Sequence, residues 1–259
     1  MASQEISVSA ITKGLNTRFI GQKIIYFPRL SSTMDAARRE IKNKAPDGTV
    51  VIAGEQTQGR GRLKRAWIAP GGNIAFSLIL YPDVVSLPYL IMIASLAAAQ
   101  SIESVTGLQT QIKWPNDLLI AGKKVAGILI ETEVKGNTAQ AVIGIGINVA
   151  LRPAEINEIS ATATSLEEQL GKNVSREEII KKLMEEFEKL YIKLSIGKPV
   201  IKLWQERLVT LGQKVSAAWG KDIIEGIAES VDETGALMIR RDDGTLTRVV
   251  AGDVTLQKK

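Results

Sequence analysis

The sequence predicts an α+β fold, a mixed sheet with packed helices followed by a small C-terminal β module. Three features predict it. Apolar runs between residues 111 and 149 follow one another across short turns, so consecutive strands pair antiparallel rather than doubly wound. Residues 87–106 read as a helix that is apolar nearly all round and must lie inside a larger body. After Leu211-Gly212 the pattern changes to short strands and tight turns, which suit an SH3-like barrel. The 259 residues therefore divide into a large domain over 1–211 and a small one over 212–259.

Residues 1–22 read as a leader with a helical turn at Ile11–Leu15, and Lys23–Phe27 as the first strand. Pro28–Thr33 is a polar turn in which Ser32 or Thr33 can cap a helix from Met34 to about Lys44. Thr49–Ala53 is a short strand buried on both faces, and Ile74–Tyr81 is the next strand, after the turn Pro70–Asn73. The long helix stops at Gly107, which fits the left-handed C′ position. Gln111–Trp114, Leu118–Ile120, Val125–Glu131 and Thr138–Val149 are the antiparallel strands. Ser165–Leu170 is a short helix ending at Gly171. Ser175 and Glu178 form a capping box for a helix reaching about Ser195, with Ile179, Leu183, Phe187, Leu190 and Leu194 at helical spacing. A short helix at Pro199–Thr210 precedes strands at Lys214–Trp219, Ile223–Val231, Ala236–Arg240, Thr245–Val250 and Val254–Gln257.

Composition narrows the chemistry. There is no cysteine and no histidine, so disulfides, thiolate catalysis, imidazole bases and His-ligated zinc are excluded. Proton transfer falls to Lys, Asp, Glu, Tyr or water. A net charge of +5 without a run of like charges favours an acidic or polyanionic partner. The N-terminus lacks signal-peptide regions, and the apolar run Leu90–Ala99 is shorter than the roughly 20 residues of a bilayer span, so a cytoplasmic protein without a membrane partner is expected.

Chemistry concentrates in four stretches. Residues 54–67 carry Gly59, Arg60, Gly61, Arg62, Arg65 and Trp67: glycines that admit close backbone approach, and guanidinium forks suited to phosphate or carboxylate. This reads as an anion-binding loop distinct from the nucleotide P-loop. Lys113–Asp117 ends a strand in a proline turn bearing the amide of Asn116 and the carboxylate of Asp117. Lys124 leads an apolar strand in which Gly127 leaves the backbone open, and Gly144, Gly146 and Asn148 alternate in another. Taken singly, each stretch is equally explained by turn chemistry, helix capping or a solvated lysine.

Together, in this order and spacing, the stretches resemble the biotin protein ligase family. The matching segments are Ser31–Thr33, Gln56 through Gly59–Arg62 and Arg65 to Trp67, Lys113–Asp117, Lys124 through Ala126–Leu129 to Glu131, and Gly144, Gly146 and Asn148. The resemblance spans about residues 22–259. It implies a class II tRNA synthetase-like catalytic domain with an SH3-like C-terminal module. It also implies a two-step activity: biotin and ATP give biotinyl-5′-AMP, and the biotinyl group then passes to one lysine of a biotin carboxyl carrier protein. Carried over, Ser32, Thr33 and Gln56 would hold the ureido end of biotin, with Gly59, Arg60, Lys124 and Gly127 completing that site. Arg60, Gly61, Arg62, Arg65, Trp67, Asn73, Asn116, Lys124 and Asn148 would serve ATP or the adenylate. Lys124 and Arg60 would be catalytic, with Asp117 the candidate to accept the proton of the acceptor lysine. Mg²⁺ would be bound mainly through the ATP phosphates, with no protein metal ligand assigned. Many relatives carry an N-terminal winged helix; the sequence before the first strand has no room for one, so a monofunctional ligase without DNA binding or repressor activity is expected. Open sheet edges suggest a homodimer. Two rivals are a lipoate–protein ligase, whose members usually carry a histidine in the substrate loop, and a basic RNA-binding protein.

Overall fold

The computed structural model describes residues 5–195, 200–219, 222–250 and 252–256. The chain opens with α1 (Val8–Thr12), β1 (Ile24–Leu30), α2 (Thr33–Lys42), β2 (Val50–Gln56) and β3 (Ile74–Leu80). The central helix α3 (Leu87–Thr106) leads to β4 (Gln111–Lys113), β5 (Asp117–Ile120), β6 (Lys123–Lys135) and β7 (Thr138–Ile147). Helices α4 (Leu166–Leu170), α5 (Arg176–Ser195) and α6 (Ile201–Gln205) follow. The C-terminal part holds β8 (Lys214–Trp219), β9 (Asp222–Val231), β10 (Leu237–Arg240), β11 (Leu246–Val249) and β12 (Asp253–Leu256).

The first sheet has seven strands in the order β1-β2-β3-β7-β6-β5-β4. Only β1 and β2 are parallel, joined by the crossover helix α2; every other pair is antiparallel. The sheet is therefore mixed, as the sequence predicts. One face carries Val50, Ile52, Phe76, Leu78, Ile143, Ile145 and Ile147 and packs on α3 and α5. The helix α3 is core because its leucines, isoleucines and alanines leave no polar stripe; burying each large side chain contributes roughly 1.5–3 kcal/mol. It ends at Gly107 with φ 75°, as its sequence position predicts.

The opposite face is paved differently. Register places Leu129, Gly144, Ser77 and Val51 in one row across β6, β7, β3 and β2. The next row is Asp117, Gly127, Gly146, Ala75 and Ala53. Small side chains in these rows leave a depression, and α2 covers only one end of it through Met34, Ala36 and Ala37.

Several boundaries differ from the sequence reading. The leader helix begins at Val8 because Ser7 caps it, its hydroxyl accepting from the Ala10 N–H. β2 extends to Gln56 because Glu55 and Gln56 pair with Arg29 and Leu30 of β1. β5 begins at Asp117, which pairs with both Lys113 and Gly127 and so belongs to the sheet rather than to a free turn. β6 runs to Lys135 as a hairpin arm projecting with β7. Of the sequence-predicted elements, Pro199 and Gln257 lie outside the described residues.

The second sheet has five antiparallel strands in the order β11-β10-β9-β8-β12. It is tied to the first body: Trp114 Nε1 donates to the Gly235 carbonyl at 2.9 Å, and the Trp114 N–H donates to Thr210 Oγ1 at 2.9 Å. The outer edge of β4 is covered by Leu208, which forms a parallel bridge with Ile112.

Candidate active site

A cavity of about 810 Å³ lies over the depressed face of the first sheet, roofed by the loop between β2 and β3. Its size suits a ligand of nucleotide-plus-cofactor dimensions. At one end stands a polar cluster from the start of α2. The Thr33 N–H and Thr33 Oγ1 both donate to Gln56 Oε1, at 2.7 and 2.9 Å. Ser77 Oγ donates in turn to Thr33 Oγ1 at 2.8 Å. Ser32 is the N-cap of α2 yet makes no side-chain capping bond, and its buried hydroxyl has no hydrogen-bond partner. A buried hydroxyl without a partner costs free energy that a polar ligand would return. Capping alone therefore does not explain this serine.

The loop is folded on itself. The Gly61 N–H donates to the Arg65 carbonyl at 2.8 Å, and the Trp67 N–H to the Gly59 carbonyl at 2.9 Å. Gly59 does not line the cavity; a Cβ there would sit 2.3 Å from the Trp67 carbonyl oxygen, so its lack of a side chain lets the loop close. At the loop tip, Leu63 occupies the left-handed region at φ 53° and is exposed. Arg60, Gly61, Arg62, Arg65 and Trp67 all face the cavity. Arg60 Nη2 pairs with Asp35 Oδ1 at 3.0 Å and Glu131 Oε1 at 3.5 Å, and Arg38 bridges the same two carboxylates. Arg62 Nη1 donates to Asn116 Oδ1 at 3.0 Å, while Asn116 Nδ2 donates to the Ile128 carbonyl.

Lys124 and Asp117 meet on the cavity floor, Nζ to Oδ1 at 2.6 Å. The Lys124 ammonium also stands 5.3 Å from the centroid of the Trp67 ring, a cation–π arrangement. The alternate glycines of β6 and β7 do permit close approach, but the approaching groups are the chain's own. A Cβ at Gly146 would lie 2.3 Å from Trp67 Cε2, and one at Gly127 would lie 3.0 Å from Trp67 Cζ3. A Cβ at Gly144 would lie 2.6 Å from Met34 Sδ.

Asn148 lines the cavity, with its Nδ2 donating to the Thr164 carbonyl at 3.0 Å. Asn73 departs from the sequence reading. Its Oδ1 accepts from the Val149 and Leu151 N–H groups and its Nδ2 donates to the Pro70 carbonyl, so it braces the turns beneath the site and does not line the cavity. Sequence reasoning missed Met34, the wall formed by Thr162 and Ala163, and Thr255 and Leu256, which bring β12 to the cavity, as well as Ser77, which is buried behind Thr33 and does not line it. A local signal existed only for Met34, which directly follows the serine–threonine pair.

The comparisons with known proteins bear on this geometry. Residues 26–148 match the model of the Biotin/lipoate A/B protein ligase family, and residues 210–256 match the Biotin protein ligase C terminal domain. The bifunctional ligase/repressor BirA of Bacillus subtilis is 38% identical, over 97% of this chain and 79% of that protein. The chain belongs to the biotin protein ligase family. The first of the two matching models covers biotin and lipoate ligases together, and the second is named for biotin protein ligases. A biotin–[acetyl-CoA-carboxylase] ligase of Mycobacterium tuberculosis is 34% identical over 86% of this chain and 85% of that one. A solved biotin protein ligase of Aquifex aeolicus, in complex with biotin and ATP, superposes with a TM-score of 0.77 at 28% identity, covering 92% of this chain and all of that one.

Proposed function

We propose that the cavity joins biotin to ATP and then passes the biotinyl group to a lysine of a biotin carboxyl carrier protein. The observation that carries this reading is the polarity of the cavity itself. Neutral hydrogen-bonding groups, Ser32, Thr33 and Gln56, are grouped at the start of α2, and four cations, Arg60, Arg62, Arg65 and Lys124, are among the residues lining the cavity. That division fits a ureido ring at one end and a carboxylate meeting a triphosphate at the other.

In the first step a biotin carboxylate oxygen attacks the α-phosphorus, and the bond to pyrophosphate breaks with its electron pair leaving on pyrophosphate. Two anions approach one another, and Lys124, Arg60 and Arg62 offset their repulsion most strongly in the transition state. Mg²⁺ would accompany the nucleotide, bound mainly through its phosphates. Asn116 holds Arg62, and Asn148 stands at the nucleotide end. Trp67 packs over the glycine floor beside the reacting groups, and the loop shields the mixed anhydride from water. In the second step the neutral acceptor amine attacks the acyl carbon, AMP leaves with the C–O pair, and the amine gives up a proton. Asp117, paired with Lys124 on the cavity floor, takes that proton after releasing Lys124 to the phosphate.

The finer architectural reading belongs to the same proposal: a class II tRNA synthetase-like first body over 1–211, an SH3-like second body over 212–259, a cytoplasmic enzyme and a homodimer. Pro28 and Arg29 blunt the open edge of β1, so a dimer would form elsewhere; light scattering at twice the 28.1 kDa chain mass tests it. The decisive experiment is ATP–pyrophosphate exchange without carrier protein. Exchange with biotin and none with lipoate is expected, and Lys124→Ala should lower it about 100-fold, the usual cost of losing one charge-stabilising donor. No exchange with biotin would refute the reading.

A further inference from the structure

We propose that Met34 is a specificity-determining residue whose thioether forms the apolar wall of the ring end of the cavity. The inference rests on the ligase reading above and deepens it. Met34 is 4% exposed and lines the cavity beside Ser32 and Thr33. Its Sδ occupies the space that a side chain at Gly144 would fill, 2.6 Å from an ideal Cβ, with Cγ at 3.2 Å. Gly144 lies between Ser77 and Leu129 in the sheet row beneath. The ring end thus has two unlike flanks. On one, Thr33 and Gln56 are hydrogen-bonded to each other and backed by the buried Ser77, and the Ser32 hydroxyl is without a partner. On the other, the Met34 sulfur and Leu129 present apolar surface.

That contrast selects a ring system with one strongly polar edge and one soft, apolar edge, which is the chemistry of a ureido ring fused to a thioether ring. Methionine suits the apolar flank because its unbranched, polarizable side chain moulds to an irregular surface. Glycine at 144 is then required by the methionine rather than by the ligand. A Cβ at 144 would overlap the Met34 Sδ, so the thioether has to move, and on this proposal it moves into the open ring end of the cavity.

Titration of biotin alone, without ATP, tests this together with steady-state kinetics. Gly144→Ala should weaken biotin binding about tenfold and raise KM for biotin far more than it lowers kcat. The double variant Gly144→Ala with Met34→Ala should recover most of that binding, because the displaced side chain is gone. Met34→Ala alone should shrink the preference for biotin over biotin sulfone, whose sulfur edge is larger and more polar, about tenfold, whereas Met34→Leu should keep it, being close to Met in volume. Unchanged biotin affinity in a folded Gly144→Ala variant, or failure of the double variant to recover, would overturn the proposal. So would an unaltered biotin-to-sulfone preference in Met34→Ala. Wild-type exchange activity with biotin keeps these outcomes separate from a failure of the ligase reading.

Discussion

Arg60 carries its own counter-ions. Asp35 and Glu131 hold its guanidinium, as Asp117 holds the Lys124 ammonium. The Arg60 pairs are a third or more exposed, so each is worth about 1 kcal/mol or less. Charge-assisted bonds to a phosphate in a closed site are worth roughly 1.5–3 kcal/mol. On the proposed function, an adenylate would therefore outcompete Asp35 and Glu131 for the guanidinium. Replacing Arg60 with Ala should leave a folded protein that releases biotinyl-5′-AMP about 10- to 100-fold faster, the range equivalent to that lost energy. Adenylate release measured on the purified complex checks this; normal retention would remove Arg60 from the mechanism. The motif around Arg60 was legible because its glycines and arginines are neighbours in sequence. The role of Asn73 was not, because an asparagine in a Pro-Gly-Gly turn looks the same whether it meets a ligand or the Val149 and Leu151 amides.

At the scale of elements, helical spacing located α5, apolarity nearly all round located α3 and apolar runs between turns located the strands, while strand ends followed their partners. The leader shows the limit best. Glu188 on α5 is 5% exposed and accepts from three successive N–H groups, Arg18 at 2.5 Å, Phe19 at 2.9 Å and Ile20 at 3.0 Å. In the sequence it is one more glutamate on a charged helix. Glu188→Ala would leave those donors without a partner and should cost about 2–4 kcal/mol in urea unfolding, with biotin affinity unchanged. A loss within experimental scatter would show that the leader docks by α1 and apolar contacts alone.

For the whole molecule, the two sheets act as one body around Trp114. Its indole reaches Gly235, and Gly235 packs on Met92 and Trp204. The turn holding Gly235 is organised by Asp232. Burial raises the pKa of that carboxyl, but hydrogen bonds from Arg248, Thr234 and the Ala236 and Thr234 amides outweigh it and hold the group at about 2. Its folded pKa is depressed, so its contribution to stability is present above the ordinary value of 3.8 and is lost as pH falls towards about 2. Asp232→Asn should therefore be less stable than wild type at neutral pH, with the gap closing between about pH 4 and pH 2. Chemical unfolding followed by tryptophan fluorescence at each pH measures the gap; a gap independent of pH would mean the turn is held by other contacts.

The sequence by itself determined the fold class, the order of most elements, the anion-binding loop and the family. The elements rest on signals no longer than a helical turn or a pleat, and the family rests on several short motifs whose order and spacing along the chain remove the ambiguity each has alone. Tertiary structure alone decided which groups meet: Lys124 with Asp117, Arg60 with Asp35 and Glu131, Trp67 over Gly146, and Met34 over Gly144. Those pairs depend on strand order and register across the sheet. A shift of one residue would turn each to the opposite face, and no local pattern in the chain encodes that choice.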